Sequence, residues 1–336
     1  MILLDASQHQ MFRDAVAAHD SFVVTTHMNP DGDALGSQIA VTLYLRSLGK
    51  QVTMLNGDPT PPLLEFIEPE EGRVEIFDEA RHTTLLAEVD ALILVDNSAP
   101  DRFGRMESAI VAHADKTLCI DHHPTRQAPW RQNILQTEAS ATAAMVWELL
   151  RGAEWEPNLT ACTAMFVGLA TDTGFFRFNS TNAQAHRIAA EMIDRGVHPA
   201  SIFRRIYERN SVAYTRLLGR TLDTLQLDAE GKIASAQIPR STTVELGAEE
   251  IDTGEITSVL LSLDGIEIVL LFRELEAGRV KVSLRSKGRL DVHGLAFEFG
   301  GGGHRNASGI VMEAPLEEAV RRVLDRAREM LASASA

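Results

Sequence analysis

Three short apolar runs that each lead into acids or imidazoles constrain this chain more than any other feature. Phe22-Val23-Val24-Thr25-Thr26 runs into His27, Ala91-Leu92-Ile93-Leu94-Val95 runs into Asp96, and Thr117-Leu118-Cys119-Ile120 runs into Asp121-His122-His123. Together with 51–55 they read as buried strands, because a strand covered on both faces is continuous and apolar rather than alternating. Between and after them lie helical patterns at 34–48, 102–113, 139–151 and 159–170. Strands alternating with helices predict an α/β domain, a parallel sheet with helices on both faces. Ligands bind beyond the carboxyl ends of the strands in such a sheet. Side chains from separate parts of the chain are therefore expected to converge on one edge.

The pattern changes further along. Residues 1–195 form the first domain, 196–220 a charged helical connector with Arg204, Arg205 and Arg209, and 221–336 a smaller α+β domain. The last of these shows paired strands at 222–228 and 232–238, and again at 265–274 and 279–286, before a closing helix at 316–331. Two unequal domains suit a chain of 336 residues. No segment reaches the ~18 uninterrupted apolar residues of a membrane span, and Met1-Ile2-Leu3-Leu4-Asp5 has no secretion-signal pattern. Cys119 and Cys162 sit inside apolar runs and read as buried thiols rather than a disulfide. The expected compartment is the cytoplasm, and Asn306-Ala307-Ser308 is read as a chance glycosylation pattern. A net charge of −15 argues against holding long duplex nucleic acid through the overall field, since that binding rests on many cationic phosphate contacts. A phosphate-bearing substrate would need a local device.

Such a device is present in the residues at the strand ends. His27, Asp31, Asp33, Asp96, His122 and Asp172 are metal-ligand types drawn from four regions. Hydrolysis of a phosphate ester needs an activated nucleophile and positive charge on the developing oxyanions, and two metal ions roughly 3.5–4 Å apart supply both. Mixed imidazole and carboxylate donors suit Mn²⁺, Co²⁺ or Zn²⁺. Asp96, at the tip of a central strand, is the choice for a carboxylate shared by both ions. Each residue also has a plain reading: an Asp at a strand end is commonly a turn or an N-cap, and Asp33 could simply start a helix. The other histidines have no acidic partners in sequence and read as structural or exposed.

A second device lies at 279–289. Arg279, Lys281, Ser283, Arg285, Lys287 and Arg289 alternate with Val280, Val282 and Leu284 over the strand, so one face is basic and the other apolar. An edge strand guarded by cations would look the same. Gly300-Gly301-Gly302-Gly303-His304 follows, a glycine run that lets backbone N–H groups approach a phosphate, or else a flexible turn. No aromatic-and-basic interleaving suited to a single-strand channel is visible, so short substrates clamped between two domains are expected.

The sequences His27-Met-Asn-Pro-Asp31-Gly-Asp33, Val-Asp96-Asn-Ser, Asp121-His122-His123-Pro and Thr-Asp172-Thr-Gly, in that order, resemble the motifs of the DHH phosphoesterase superfamily. The glycine run with His304 resembles the DHHA1 substrate domain, and the whole set is similar to the branch of nanoRNases and 3′-phosphoadenosine 5′-phosphate (pAp) phosphatases. That resemblance implies His27 and Asp31 on one Mn²⁺, Asp33, His122 and Asp172 on the other, and Asp96 bridging, with Co²⁺ or Mg²⁺ as substitutes. It implies His123 facing the phosphate or leaving group, Asp121 orienting the histidines, and Arg285 and Ser286 at a position that faces the substrate. Gly302 and Gly303 with His304, as phosphate-approaching backbone and donor, and Arg177 just after the Asp172 motif are further candidate substrate contacts. The implied substrates are short RNA or DNA oligonucleotides and pAp, hydrolysed by an exonuclease-type activity. No membrane contact is expected from the sequence, and a homodimer is the default expectation. The alternatives are a phosphodiesterase for cyclic di-AMP or pApA, and a RecJ-like single-strand DNA exonuclease.

Overall fold

The computed structural model describes residues 4–124, 128–276, 278–288 and 290–335. It divides into two units, Met1–Glu208 and Arg209–Ala336, so the division falls inside the stretch read as a connector.

The first unit is built on β1 (Ser21–Thr25), β2 (Gln51–Asn56), β3 (Glu75–Ile76), β4 (Ala91–Val95), β5 (Thr117–Asp121) and β6 (Gln132–Leu135). They form one sheet in the order β3-β2-β1-β4-β5-β6, every pairing parallel. The helices are α1 (Ala6–Ala18), α2 (Gly32–Ser47), α3 (Glu79–Glu88), α4 (Glu107–Val111), α5 (Thr142–Gly152), α6 (Leu159–Asp172), α7 (Ala183–Asp194) and α8 (Pro199–Tyr207). Alternate strand residues serve two cores. Phe22, Val24, Ile93, Val95 and Ile120 pack with α2, α5 and α6, while Val23, Leu92, Leu94 and Cys119 pack with Leu86, Phe103 and Ile110. Helices thus cover both faces, as the apolar runs predict. Cys119 and Cys162 are buried free thiols.

Some elements differ from expectation for visible reasons. The helix expected over 102–113 breaks because Gly104 adopts φ +54°, leaving a 3₁₀ turn at Pro100–Met106 before α4. Half the residues of edge strands β3 and β6 are polar, so neither gives an apolar run. The expected connector, 196–220, holds two helices: α8 and, opening the second unit, α9 (Val212–Leu222). That unit continues with β7 (Gln226–Asp228), β8 (Ile233–Ile238), α10 (Arg240–Leu246), α11 (Gly254–Leu261), β9 (Ile268–Glu276), β10 (Arg279–Ser286), α12 (Val292–Glu298), β11 (Gly302–His304), β12 (Ala307–Glu313) and α13 (Leu316–Ser335). Its mixed sheet runs β11-β12-β10-β9-β8-β7, with only β8 and β9 parallel. Val280, Val282 and Leu284 enter a core with α12 and α13. Among the described residues, no helix is long and apolar enough to cross a membrane.

The packing of α2 against α6 positions the first unit's carboxylates. A β-carbon on Gly36 would lie 2.3 Å from the Ala164 carbonyl oxygen, and one on Gly168 would lie 2.9 Å from Asp33 Oδ1. Both glycines let the helices approach backbone to backbone. Gly36→Ala should therefore cost about 2–3 kcal/mol of stability through overpacking. Gly219→Ala, at an exposed position of α9 with open space around it, should leave stability unchanged or raise it by up to about 1 kcal/mol. Urea unfolding of the two variants beside the parent checks the contrast.

Candidate metal centre

Four segments deliver side chains to the carboxyl edge of the parallel sheet. His27 follows β1, Asp96 follows β4, and Asp121 ends β5 with His122 and His123 behind it. Asp172 is the last residue of α6 rather than a loop residue past it. Asp31 is the N-cap of α2: its side chain accepts the Asp33 and Ala34 N–H groups, leaving Oδ2 at 4.0 Å from His27 Nε2. One carboxylate thus caps the helix through Oδ1 and still turns Oδ2 towards His27. Asp96 takes φ +59°, a left-handed conformation uncommon for a residue with a side chain and frequent at functional sites.

The ligand atoms fall into three groups, each within 4.8 Å: His27, Asp31 and Asp96; Asp33, His122 and Asp172; and Asp96, His122 and His123. Asp96 Oδ2 lies 3.5 Å from His27 Nε2, while its Oδ1 lies 3.6 Å from His122 Nε2 and 3.5 Å from His123 Nδ1. His122 Nε2 is also 3.1 Å from Asp172 Oδ2 and 3.9 Å from Asp33 Oδ2. One carboxylate is thus shared between two donor groups.

The imidazoles are held from behind. His27 Nδ1 donates to the Met28 carbonyl at 2.8 Å and His122 Nδ1 to the Ala139 carbonyl at 3.2 Å. A carbonyl only accepts, so Nδ1 carries the proton and each Nε2 is turned inward. Asp121 Oδ1 accepts both the backbone N–H and Nδ1 of His123, at 3.0 and 2.8 Å. Asp121 therefore orients His123 alone, a correction to the expectation that it orients the pair, since His122 is held by a backbone carbonyl.

The electrostatics are those of crowded acids. Burial, with the charges of Asp96, Asp172 and Asp31, pushes the Asp33 carboxyl well above its usual range, against the Ala143 N–H that lowers it. Burial likewise raises Asp96, opposed by His27. Burial alone would depress His122, but its contact with Asp172 and the Asp96 charge outweigh that and lift it to about 9. Burial would raise Asp121, yet hydrogen bonds from His123 and Ser98 bring it below its usual value.

A divalent cation fits this arrangement. His27 Nε2 and His122 Nε2 are buried with no aligned hydrogen-bond partner, an expensive condition for isolated polar atoms. Imidazole lone pairs and carboxylate oxygens that face each other need positive charge between them. Backbone-anchored imidazoles of fixed tautomer are the usual arrangement around a metal.

Comparisons with known proteins point to one family. Residues 21–171 match the model of the DHH family, N-terminal domain, and residues 230–333 match the DHHA1 domain. The chain is 33% identical over 321 residues to the bifunctional oligoribonuclease and PAP phosphatase NrnA of Thermus thermophilus, covering 95% of this chain and 92% of the relative. The chain belongs to the DHH–DHHA1 phosphoesterase family. It is also 28% identical to NrnA of Bacillus subtilis, over 88% of this chain and 90% of that one. An exopolyphosphatase-related protein from Bacteroides fragilis superposes with a TM-score of 0.86 at 26% identity, covering 98% of this chain and 97% of that one.

The DHHA1-unit residues expected to touch substrate have mixed surroundings. His304 and Gly302 are exposed. Gly301 and Gly303 are needed structurally, because β-carbons there would meet the Gly309 and Ala307 carbonyl oxygens at 2.2 and 2.6 Å. Ser286 is buried and donates to the Leu290 carbonyl at 2.7 Å, so its hydroxyl braces a turn. Arg285 is half-buried, with Nη1 on the Leu284 carbonyl. The basic row is less charged than its sequence implies, because Arg279 pairs with Glu276 and Glu313; Arg289 lies outside the described residues. In the DHH unit, Arg177 is exposed and its guanidinium stands 5.5 Å from the Phe178 ring centre. Thr142 is a site neighbour that residue-type reasoning missed, since threonine is not a metal-ligand type. Its hydroxyl donates to Asp96 Oδ1 at 2.8 Å.

Metal uptake should stabilise the protein, because it relieves repulsion among buried acids. Adding Mn²⁺ to chelator-treated protein should raise Tm by several degrees, and chelator should reverse the rise. Asp96→Asn should remove that response while leaving the metal-free Tm equal or higher. Differential scanning calorimetry of both proteins decides it.

Proposed function

We propose that this phosphoesterase hydrolyses short oligoribonucleotides to mononucleotides and pAp to AMP and phosphate, with two Mn²⁺ ions. The observation that carries the reading is the single carboxylate, Asp96, standing between two donor groups. The NrnA relatives, whose names state both activities, supply the substrate class. His27 and Asp31 would hold one ion, Asp33, His122 and Asp172 the other, and Asp96 both. When bound, such a pair activates water and neutralises charge on the phosphoryl oxygens.

The remaining residues have tasks of their own. His123 is partly exposed, and Asp121 holds its Nδ1, so Nε2 is the atom offered outward. In its protonated form that nitrogen would donate to a phosphoryl or leaving oxygen. Asp121, buried behind the ring, keeps the imidazole in that orientation. In the second unit, Arg285, Gly302 and His304 are the proposed contacts for the phosphate of the nucleotide end. Arg177 is a further proposed contact in the first.

Purified protein should turn over both pAp and oligoribonucleotides of two to five residues with Mn²⁺, and lose both activities on metal removal. Asp96→Ala should lower each rate by at least about a hundredfold, since even partners behind the ligands cost ten- to a hundredfold. Cyclic di-AMP and pApA belong in the same assay. Faster turnover of those two than of pAp would replace the proposed substrates, and an Asp96→Ala rate equal to the parent's would refute the metal assignment.

A further inference from the structure

The start of α5 has a property that no feature of its own sequence explains. Its N-cap, Ala141, offers no side-chain hydrogen bond. The cap comes from Asp33, 109 residues earlier: Oδ2 accepts the Thr142 N–H at 2.6 Å and Oδ1 accepts the Ala143 N–H at 2.8 Å. Two backbone donors favour the charged carboxylate at a helix end whose dipole does the same. The next atom along, the Thr142 hydroxyl, donates to Asp96 Oδ1 at 2.8 Å. Asp33, Asp96 and Thr142 are each fully buried or within 1% of it. One residue therefore touches a carboxylate from each of two other segments.

This matters for a carboxylate that serves two groups at once. A free Asp side chain can exchange its two oxygens by rotation about its last torsion. The Thr142 hydrogen bond breaks that equivalence, holding Oδ1 on the His122 side and leaving Oδ2 towards His27. Resting on the two-ion reading above, we infer that Thr142 is a positioning residue that sets the bridging orientation of Asp96, while the α5 amides set that of Asp33. Thr142 does not touch substrate. It would act by fixing which oxygen of Asp96 faces the His122 group and which faces His27.

Thr142→Val removes the hydroxyl and keeps the shape, and leaves the amide bonds to Asp33 in place. Calorimetric titration should show Mn²⁺ binding weakened ten- to a hundredfold at one ion or both, the range for partners behind metal ligands. kcat for pAp should fall by a similar factor with KM little changed, and Thr142→Ser should recover most of both. If valine impairs folding, Thr142→Ser against Thr142→Ala differs by a single oxygen, and serine should bind Mn²⁺ about tenfold more tightly than alanine. Equal Mn²⁺ affinity across these variants, with the parent binding two ions and active, would overturn this inference alone. A parent protein that takes up no Mn²⁺ would overturn the functional reading and this inference with it.

Discussion

Buried negative charge sets the terms for the first unit. Asp33, Asp96 and Asp121 are fully or almost fully buried, and Asp31 and Asp172 stand close by. An uncompensated carboxylate in a protein interior costs several kcal/mol, so each of these needs a partner, and the partners are specific. Asp33 has two helix amides, Asp96 has a threonine hydroxyl, and Asp121 has the N–H groups of His123. Asp96 also faces the inward Nε2 atoms of His27 and His122, and Asp33 that of His122. Cations placed there would complete the compensation, which is why the same residues that strain the fold suit phosphoester hydrolysis.

The surrounding architecture is arranged to make that crowding possible. A parallel sheet brings the ends of β1, β4 and β5 to one edge in register. The Asp33 and Asp172 carboxylates lie on different helices, and they meet only because Gly36 and Gly168 allow α2 to lie directly against α6. At Gly168 the absent β-carbon makes room for Asp33 itself. The left-handed conformation of Asp96 turns the chain sharply at the tip of β4, so its carboxylate stands between the two groups.

The second unit shows the opposite division of labour. Its glycine run is partly explained without any ligand, since Gly301 and Gly303 allow β11 to lie against β12. Gly300, Gly302, Gly303 and His304 are exposed, and Lys281 on β10 is exposed while Arg279 is matched by neighbouring acids. Any phosphate contact in this unit is thus concentrated in fewer groups than the row of basic residues implies.

Much of this was legible in the chain itself. The apolar runs at 22–26, 91–95 and 117–120 determined the central strands, because continuous apolar residues must be covered on both sides. The acids and histidines that end those runs, with Asp31, Asp33 and Asp172, supplied the candidate donors, because residue type alone decides what can ligate. The edge strands β3 and β6, half of whose residues are polar, carried no such signal. The partners of the donors were decided only by tertiary structure. That Asp33 caps a helix 109 residues away, that Ala139 rather than Asp121 holds His122, and that Ser286 is spent on a turn follow from which backbone atoms come near. Hydrogen bonds to backbone amides and carbonyls leave no trace in residue identity, since every residue carries the same groups, and folding alone chooses among them.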